Sequence, residues 1–138
     1  KSIISGKPMN VYNYGKMKRD FTYIDDVVEG IYRCIFKPAK SDPSFNRFKP
    51  NPAKSFAPHR IFNIGNSKPI ELLKFIFLIE NKLKLKAIKN MMPIQPGDVE
   101  VTCAETSELQ EWIEYKPITN IEDGINKFVD WYRNFYCI

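Results

Sequence analysis

Apolar positions in this chain recur at a helical period in several stretches and at an extended period in the short runs between them, an order that predicts an α/β fold. Ser2 to Gly6 reads as the end of an apolar helix stopped by Gly6. Val11 and Tyr12, after Pro8, predict a short strand, and Phe21 to Ile24 predict a second, since Phe21 and Tyr23 alternate with the β-branched Thr22 and Ile24. A helix is expected from about Asp26 to Phe36, with Asp26 and Glu29 spaced as a capping box and Val27, Ile31 and Ile35 on one face. Ile61 to Ile64 forms a compact apolar strand ending at Gly65, after which Pro69 and Glu71 open a second helix striped by Leu72, Leu73, Ile76, Ile79 and Leu83. Ala87 to Met91 and Val99 to Ala104 read as strands, with a loop from Pro93 to Asp98 between them. A short helix carries Leu109, Trp112 and Ile113. Thr119 and Glu122 form a capping box for a last helix with Ile121, Ile125, Phe128, Val129 and Tyr132 at helical spacing.

The Ile61 to Ile64 run reads as a strand buried on both faces, as in a parallel sheet, and such strands require neighbours. The other strands are too short and scattered to surround it. Part of the sheet is therefore expected in sequence upstream of Lys1, consistent with a chain that opens without Met.

Composition narrows the class. With 43% apolar and 27% charged residues the chain can bury a core, which excludes disorder overall, and 138 residues suit one domain. No apolar run approaches the roughly 20 residues of a membrane-spanning helix. Cys34, Cys103 and Cys137 are widely spaced and odd in number, which favours neither a disulfide framework nor a zinc site and suits a reducing cytoplasm.

The formal charge of +5 raises nucleic acid as a ligand, and its distribution argues against it. Residues 37 to 60 hold Lys37, Lys40, Arg47, Lys49, Lys54 and Arg60 against Asp42 alone, which is the whole excess. The other 15 basic residues are matched by 15 acidic ones, so the periodic segments carry no basic stripe. Five prolines, at 38, 43, 50, 52 and 58, make this window a long exposed loop. Phe45, Phe48 and Phe56 interleave with its cations, an arrangement open to base stacking, to covering a neighbouring surface or to a plain solvated insertion.

The chemistry the residues exclude is informative. His59 is the only histidine and lies in this loop, which removes His-dependent triads and multi-His metal sites. The six glycines never cluster, so no glycine-rich phosphate loop is present. Tyr12 with Lys16, and Tyr14 with Lys18, share the Tyr-x-x-x-Lys spacing of short-chain dehydrogenases. That acid/base pair must lie one turn apart on a helix, whereas this stretch reads as a strand containing Gly15.

One corner does carry candidate chemistry. Lys16, Lys18 and Arg19 precede the predicted strand and the acidic helix start at Asp25 and Asp26. A guanidinium fixed beside a rigid element can hold a phosphate or diphosphate in two hydrogen bonds. The same residues also fit a solvated basic turn before an ordinary strand-to-helix unit.

Five motifs then occur in order: Val11-Tyr-Asn-Tyr-Gly15, Lys18-Arg-Asp-Phe-Thr-Tyr-Ile-Asp-Asp-Val-Val-Glu-Gly30, Phe62-Asn-Ile-Gly65, Gln95-Pro-Gly-Asp98, and Tyr115-Lys-Pro117 through Trp131-Tyr132. Together they resemble the NAD-dependent nucleotide-sugar epimerases of the extended short-chain dehydrogenase/reductase group, and Gln-Pro-Gly-Asp resembles the UDP-glucuronate 4-epimerase branch most. The resemblance implies an α/β chain, 1–138, forming the C-terminal part of an extended Rossmann-type protein. It would comprise mostly the substrate-binding subdomain, plus a strand and helices that complete the Rossmann half.

For the residues, the resemblance implies that Arg19 clamps the UDP diphosphate, Val11, Tyr12 and Asn13 line the base pocket largely through backbone groups, Asp98 accepts from the ribose hydroxyls, and Gln95 approaches the phosphate or ribose. A plain Pro-Gly turn is the rival reading for Gln95 to Asp98. Asp20 and Tyr23 would anchor the strand, and Asn63 and Gly65 would shape the wall. The implied reaction is transient oxidation at the sugar C4 by NAD, rotation of the ketone, and hydride return to the opposite face. NAD and the catalytic Tyr/Lys pair would sit in an absent N-terminal half, so this chain would carry no catalytic or cofactor residue and would be inactive and poorly stable alone. The expected partners are a UDP-sugar and that missing half, in a family that is usually homodimeric. The alternatives are a portion of a nucleotide-sugar 4,6-dehydratase or decarboxylase, against which Gln-Pro-Gly-Asp argues, and a non-enzymatic sugar-nucleotide-binding module, against which the orphan strand argues.

Overall fold

A computed structural model describes all residues, 1–138. In chain order the elements are β1 (Met9–Val11), β2 (Lys18–Arg19), α1 (Ile24–Ile35), β3 (Ile70–Glu71), α2 (Leu72–Leu83), β4 (Lys89–Met91), α3 (Ser107–Ile113) and α4 (Ile121–Tyr136). β1 runs parallel to β4 with Val11 opposite Met91, and β2 runs antiparallel to β3 with Arg19 opposite Ile70. Lys18 also bridges Val101 on its other side, in parallel. The sheets are therefore small, and helices supply most of the packing.

The core lies where α2 crosses α4. Leu83, Ile125 and Val129 are buried there, covered by Ile3, Ile4, Phe75, Leu78, Ile79 and Ile121. Both stripes match their helical spacing, and the two helices are tied together at the C-terminal end of α2 and in the C-terminal half of α4. Arg133 donates to the Leu83 carbonyl at 3.2 Å, and Lys82 pairs with Asp130 at 2.8 Å. Glu80, itself buried, holds Lys89 at 2.6 Å and accepts the Ala87 N–H at 2.8 Å, which ties α2 to β4. Lys89 leads the causes that hold the Glu80 carboxyl below its ordinary range, against the upward push of desolvation. Ahead of β1, the Lys7 N–H reaches Ser2 O and the Gly6 N–H reaches Ile3 O, the paired bonds of a Schellman stop.

Several local expectations are corrected. Phe21 to Ile24 is not a strand: the ladder stops at Arg19, no backbone partner lies beside residues 21–23, and Ile24 already begins α1. Phe21 instead stacks on Phe75 with ring centroids 4.0 Å apart, so its aromatic character serves packing on α2. Asp26 does not cap α1. It lies inside the first turn, where a carboxylate favours the positive helix end, and the cap position is Tyr23. Glu29 turns to Arg33 one helical turn on, at 2.6 Å. α2 starts at Leu72, because Ile70 and Glu71 are drawn into β3. Val99 to Ala104 contributes one bridging residue, Val101, rather than a strand. The cap of α4 is Asn120, whose Oδ1 accepts the Asp123 N–H at 2.9 Å, one residue along from the expected Thr119 and Glu122 pair.

The Ile61 to Ile64 run enters no ladder of this chain, and Ile61 and Ile64 are exposed. Beside them α1 presents Ile24, Val28, Ile31, Tyr32 and Ile35 to solvent. Only 15 of 138 residues are buried, and the accessible surface is 9715 Å². A folded monomer of 16.2 kDa exposes about 7,450 Å² by the usual mass scaling. The excess, roughly 2,300 Å², is of the size that obligate interfaces cover. The 37–60 loop contributes to it, and α1 supplies its coherent apolar share.

That loop contains no helix or strand and closes on itself through Asx turns at Asp42, Asn46 and Asn51. Its ends are tied to α3. The Trp112 indole donates to Lys37 O at 3.0 Å, and Arg60 lies over the Trp112 and Phe62 rings while pairing with Glu108 at 3.3 Å. No helix is long and apolar enough to cross a membrane.

Candidate functional site

β2 is two residues long, yet it is held on both sides. The Lys18 N–H donates to Glu100 O at 2.8 Å, the Thr102 N–H donates back to Lys18 O at 3.1 Å, and β3 pairs along the other edge. Arg19 projects from this fixed strand. Its Nη2 meets Asp98 Oδ1 at 2.9 Å, and its Nη1 donates to Lys18 O at 3.0 Å and Glu100 O at 3.2 Å. Asp98 is delivered by a tight turn: the Asp98 N–H reaches Gln95 O at 3.1 Å, with Pro96 and then Gly97 at φ +83 between them. Pro followed by a left-handed Gly is the type II pattern, which explains why this dipeptide stands there. The Asp98 carboxylate also accepts the Val99 N–H at 2.8 Å. Both side chains still reach solvent, at 25% exposure for Arg19 and 33% for Asp98.

Val11, Tyr12 and Asn13 form the second part of the candidate site. After β1 the chain turns through Tyr12–Gly15 with Asn13 at φ 48, Tyr14 at φ 51 and Gly15 at φ 78, three successive left-handed residues. Asn13 tolerates this conformation, and its Nδ2 closes the turn on Lys16 O at 3.0 Å. The turn is pinned to the strand opposite by Tyr14 N–H to Met92 O at 3.0 Å and Met92 N–H to Val11 O at 2.9 Å. Gly15 lies against Leu73, where a Cβ would come within 2.6 Å of the Leu73 side chain. Val11 is fully buried, so it backs the turn rather than facing a ligand, whereas Tyr12 and Asn13 are half-buried at the surface. Met92 lies three residues before Gln95, so one segment carries both the wall beside Tyr12 to Tyr14 and the turn that ends at Asp98.

Two carboxylates organise the corner more deeply than local sequence reveals. Asp20 follows Arg19 and accepts four backbone N–H groups: Asn66 at 3.2 Å and Lys68 at 3.3 Å on Oδ1, Ser67 at 3.0 Å and Ala104 at 3.1 Å on Oδ2. Gly65 allows that closeness, since a Cβ there would lie 2.5 Å from Ala104 Cβ and 2.8 Å from Asp20 Oδ2. Asn63 donates to Glu105 O at 3.1 Å and completes the join. Asp26, 4% exposed, accepts the Tyr115 hydroxyl at 2.7 Å and the N–H groups of Thr119 at 3.1 Å and Ile118 at 3.4 Å. Desolvation pushes the Asp26 carboxyl up, but these hydrogen bonds together outweigh it and leave the group below its ordinary range. The Tyr115 phenol is pushed up to about 12, by burial first and then by the bond and charge of Asp26. Sequence reasoning missed Asp26 as a receptor for the segment before α4, because its partners lie 89 to 93 residues away.

No helix N-terminus follows a glycine-rich turn, the glycines stand apart, and the left-handed Gly15 has its open side filled by Leu73. What the arrangement can do is present a guanidinium, a carboxylate and a carboxamide around one exposed turn, beside a rigid backbone wall.

The NAD dependent epimerase/dehydratase family matches residues 1–65. The chain is 48% identical over 136 residues to protein CapI of Staphylococcus aureus, which covers 99% of this chain and 41% of that protein. It is 39% identical over 139 residues to a probable UDP-glucuronate 4-epimerase of Rhizobium meliloti, covering 98% of this chain and 40% of the relative. The chain thus spans about two fifths of the length of the curated relatives it matches. The fold superposes on the crystal structure of UDP-glucuronic acid 4-epimerase from Bacillus cereus in complex with UDP-glucuronic acid and NAD, with a TM-score of 0.75 and 24% identity over 98% of this chain and 38% of that one. The chain is thus similar to these proteins almost throughout and shares the fold of a part of them, with residues 1–65 matching the NAD dependent epimerase/dehydratase family.

Proposed function

We propose that residues 1–138 are the C-terminal, sugar-nucleotide-binding portion of an NAD-dependent UDP-sugar 4-epimerase acting between UDP-glucuronate and UDP-galacturonate. The observation that carries this reading is the Arg19 guanidinium, fixed on a two-sided strand beside Asp98 and the Gln95 turn. Arg19 supplies planar paired donors suited to a diphosphate, and Asp98 supplies an acceptor suited to ribose hydroxyls. Gln95 adds neutral donors, and the Tyr12–Asn13 backbone offers edges to a base. The Rhizobium meliloti relative, whose name states the 4-epimerase activity, supports the choice of uronate.

NAD supplies hydride chemistry to the family, and its binding groups and the acid/base pair belong on a separate half. This chain orients the nucleotide and holds its anion. The bare face of α1 together with Ile61 and Ile64 is the surface on which that half would dock, so the chain alone is inactive and marginally stable. Co-expression with the remainder of the Rhizobium meliloti relative tests this reading. The expected result is a soluble complex that interconverts the two UDP-uronates, with no turnover by either piece alone. Turnover by the 138-residue chain alone, or a stable complex in which Arg19→Ala leaves the rate unchanged, overturns it.

A further inference from the structure

Arg19 is largely committed to its own protein. A guanidinium has five N–H donors. Here Nη1 donates to Lys18 O at 3.0 Å and Glu100 O at 3.2 Å, and Nη2 donates to Asp98 Oδ1 at 2.9 Å and faces Met17 Sδ at 3.9 Å. Nε is the one nitrogen without a protein acceptor. Both edges on which a guanidinium can hold an anion in two parallel bonds, Nε with Nη2 and Nη1 with Nη2, include Nη2. With both Nη1 hydrogens taken, a diphosphate bound in that way uses the Nε–Nη2 edge, which sets its anionic oxygens beside the Asp98 carboxylate on the same nitrogen, charge against like charge.

The carboxylate is free to leave. Asp98 is half-exposed at the end of the Gly97 turn, and it keeps a second bond, from the Val99 N–H at 2.8 Å, when it releases Arg19. The guanidinium does not move with it, because Nη1 remains bound to two backbone carbonyls of the β2 ladder. We propose that the Arg19–Asp98 pair is a latch: a bidentate anion evicts Asp98 from Nη2, and the released carboxylate becomes the acceptor for a hydroxyl of the same ligand. Anion and hydroxyl recognition are then coupled through one exchange, and the closed pair guards the guanidinium against weakly bound monovalent anions. The latch rests on the reading of Arg19 as the diphosphate clamp.

The test separates the two claims by using the two halves of the ligand as separate probes. Inorganic pyrophosphate and uridine are titrated calorimetrically into the 138-residue chain, Asp98→Asn and Arg19→Ala. Removing the competing carboxylate of an exchange worth about as much as a half-exposed ion pair tightens pyrophosphate binding by about fivefold in Asp98→Asn, while uridine binding weakens. In the unsubstituted chain, saturating pyrophosphate tightens uridine binding, and Asp98→Asn abolishes that coupling. Pyrophosphate binding that weakens or stays unchanged in Asp98→Asn overturns the latch, for Asp98 then steadies the guanidinium or ignores it. If the unsubstituted chain binds no pyrophosphate, or Arg19→Ala binds it equally well, the clamp reading itself falls.

Discussion

Replacing Asp20 by Asn probes the corner on which the candidate site rests, and the structure fixes both the order and the size of the effect. The carboxylate oxygens divide four backbone N–H groups between them. Oδ1 takes the part-buried Asn66 and the exposed Lys68, and Oδ2 takes the part-buried Ala104 and the exposed Ser67. An amide retains one acceptor oxygen and turns an NH2 group toward the other two donors. Whichever way it flips, it loses one part-buried and one exposed bond. An exposed N–H regains water and forfeits roughly 0.5 kcal/mol, whereas a part-buried one left unpaired forfeits about 1 to 1.5 kcal/mol. Asp20→Asn is thus expected to destabilise by about 2 kcal/mol and Asp20→Ala, which loses all four bonds, by about 3 to 4 kcal/mol. Urea unfolding followed by fluorescence of Trp112 and Trp131 reads this directly. With a slope of about 2 kcal/mol per molar urea, the Asn variant shifts the midpoint down by about 1 M at unchanged slope. An Asn variant within about 0.5 kcal/mol of the parent, or one indistinguishable from Ala, refutes the divided-acceptor account.

Two further expectations follow from the same contacts. The Asp26 carboxyl titrates below its unfolded value, so its stabilisation is complete above the usual carboxylate range and disappears as pH falls through the folded value. Tyr115 titrates above its unfolded value, so its contribution is complete below about pH 10 and lost as pH rises toward 12. Spectrophotometric titration of the seven tyrosines should therefore show one phenol ionising last, near pH 12, and Tyr115→Phe should remove that step. Gly15→Ala combines a left-handed φ of 78 with a Cβ 2.6 Å from Leu73, and is expected to cost about 2 kcal/mol in a thermal or urea melt. Adding Leu73→Ala should relieve the steric part of the Gly15→Ala effect and leave the backbone part, so a double mutant no better than the sum of the singles counts against the close approach.

What could be read from the residues and what could not divide along physical lines. The stripes of α2 and α4 and the short α3 follow from i, i+3 and i, i+4 spacing, a local signal that tertiary packing reinforced. The Gln95 to Asp98 turn and the loop from 37 to 60 announced themselves through Pro and Gly. Phe21 to Ile24 misled because aromatic and β-branched residues favour any half-buried surface, and here Phe21 found one on α2 rather than a ladder. The cap of α4 was displaced by one residue because Thr119 and Asn120 are both competent, and the Thr119 N–H is drawn away to Asp26. Ile61 to Ile64 has the apolar run of a doubly buried strand, yet within this chain it joins no ladder, and Ile61 and Ile64 are exposed while Phe62 alone is half-buried, against Trp112. At the site, Arg19 and Asp98 each carry chemistry suited to a ligand. Their bond to each other spans 79 residues and lay beyond any periodicity, as did the four donors of Asp20.

The central claim is that this chain carries the sugar-nucleotide side of the family's site with Arg19 as its anion clamp, and calorimetric titration of UDP into the 138-residue chain and its Arg19→Ala variant tests it most directly. The account predicts saturable one-to-one binding without added NAD that weakens by tenfold or more in Arg19→Ala, about 1.4 kcal/mol for the loss of a charge-assisted pair of bonds. UDP binding of equal strength in both proteins, or no binding by a folded chain, contradicts it.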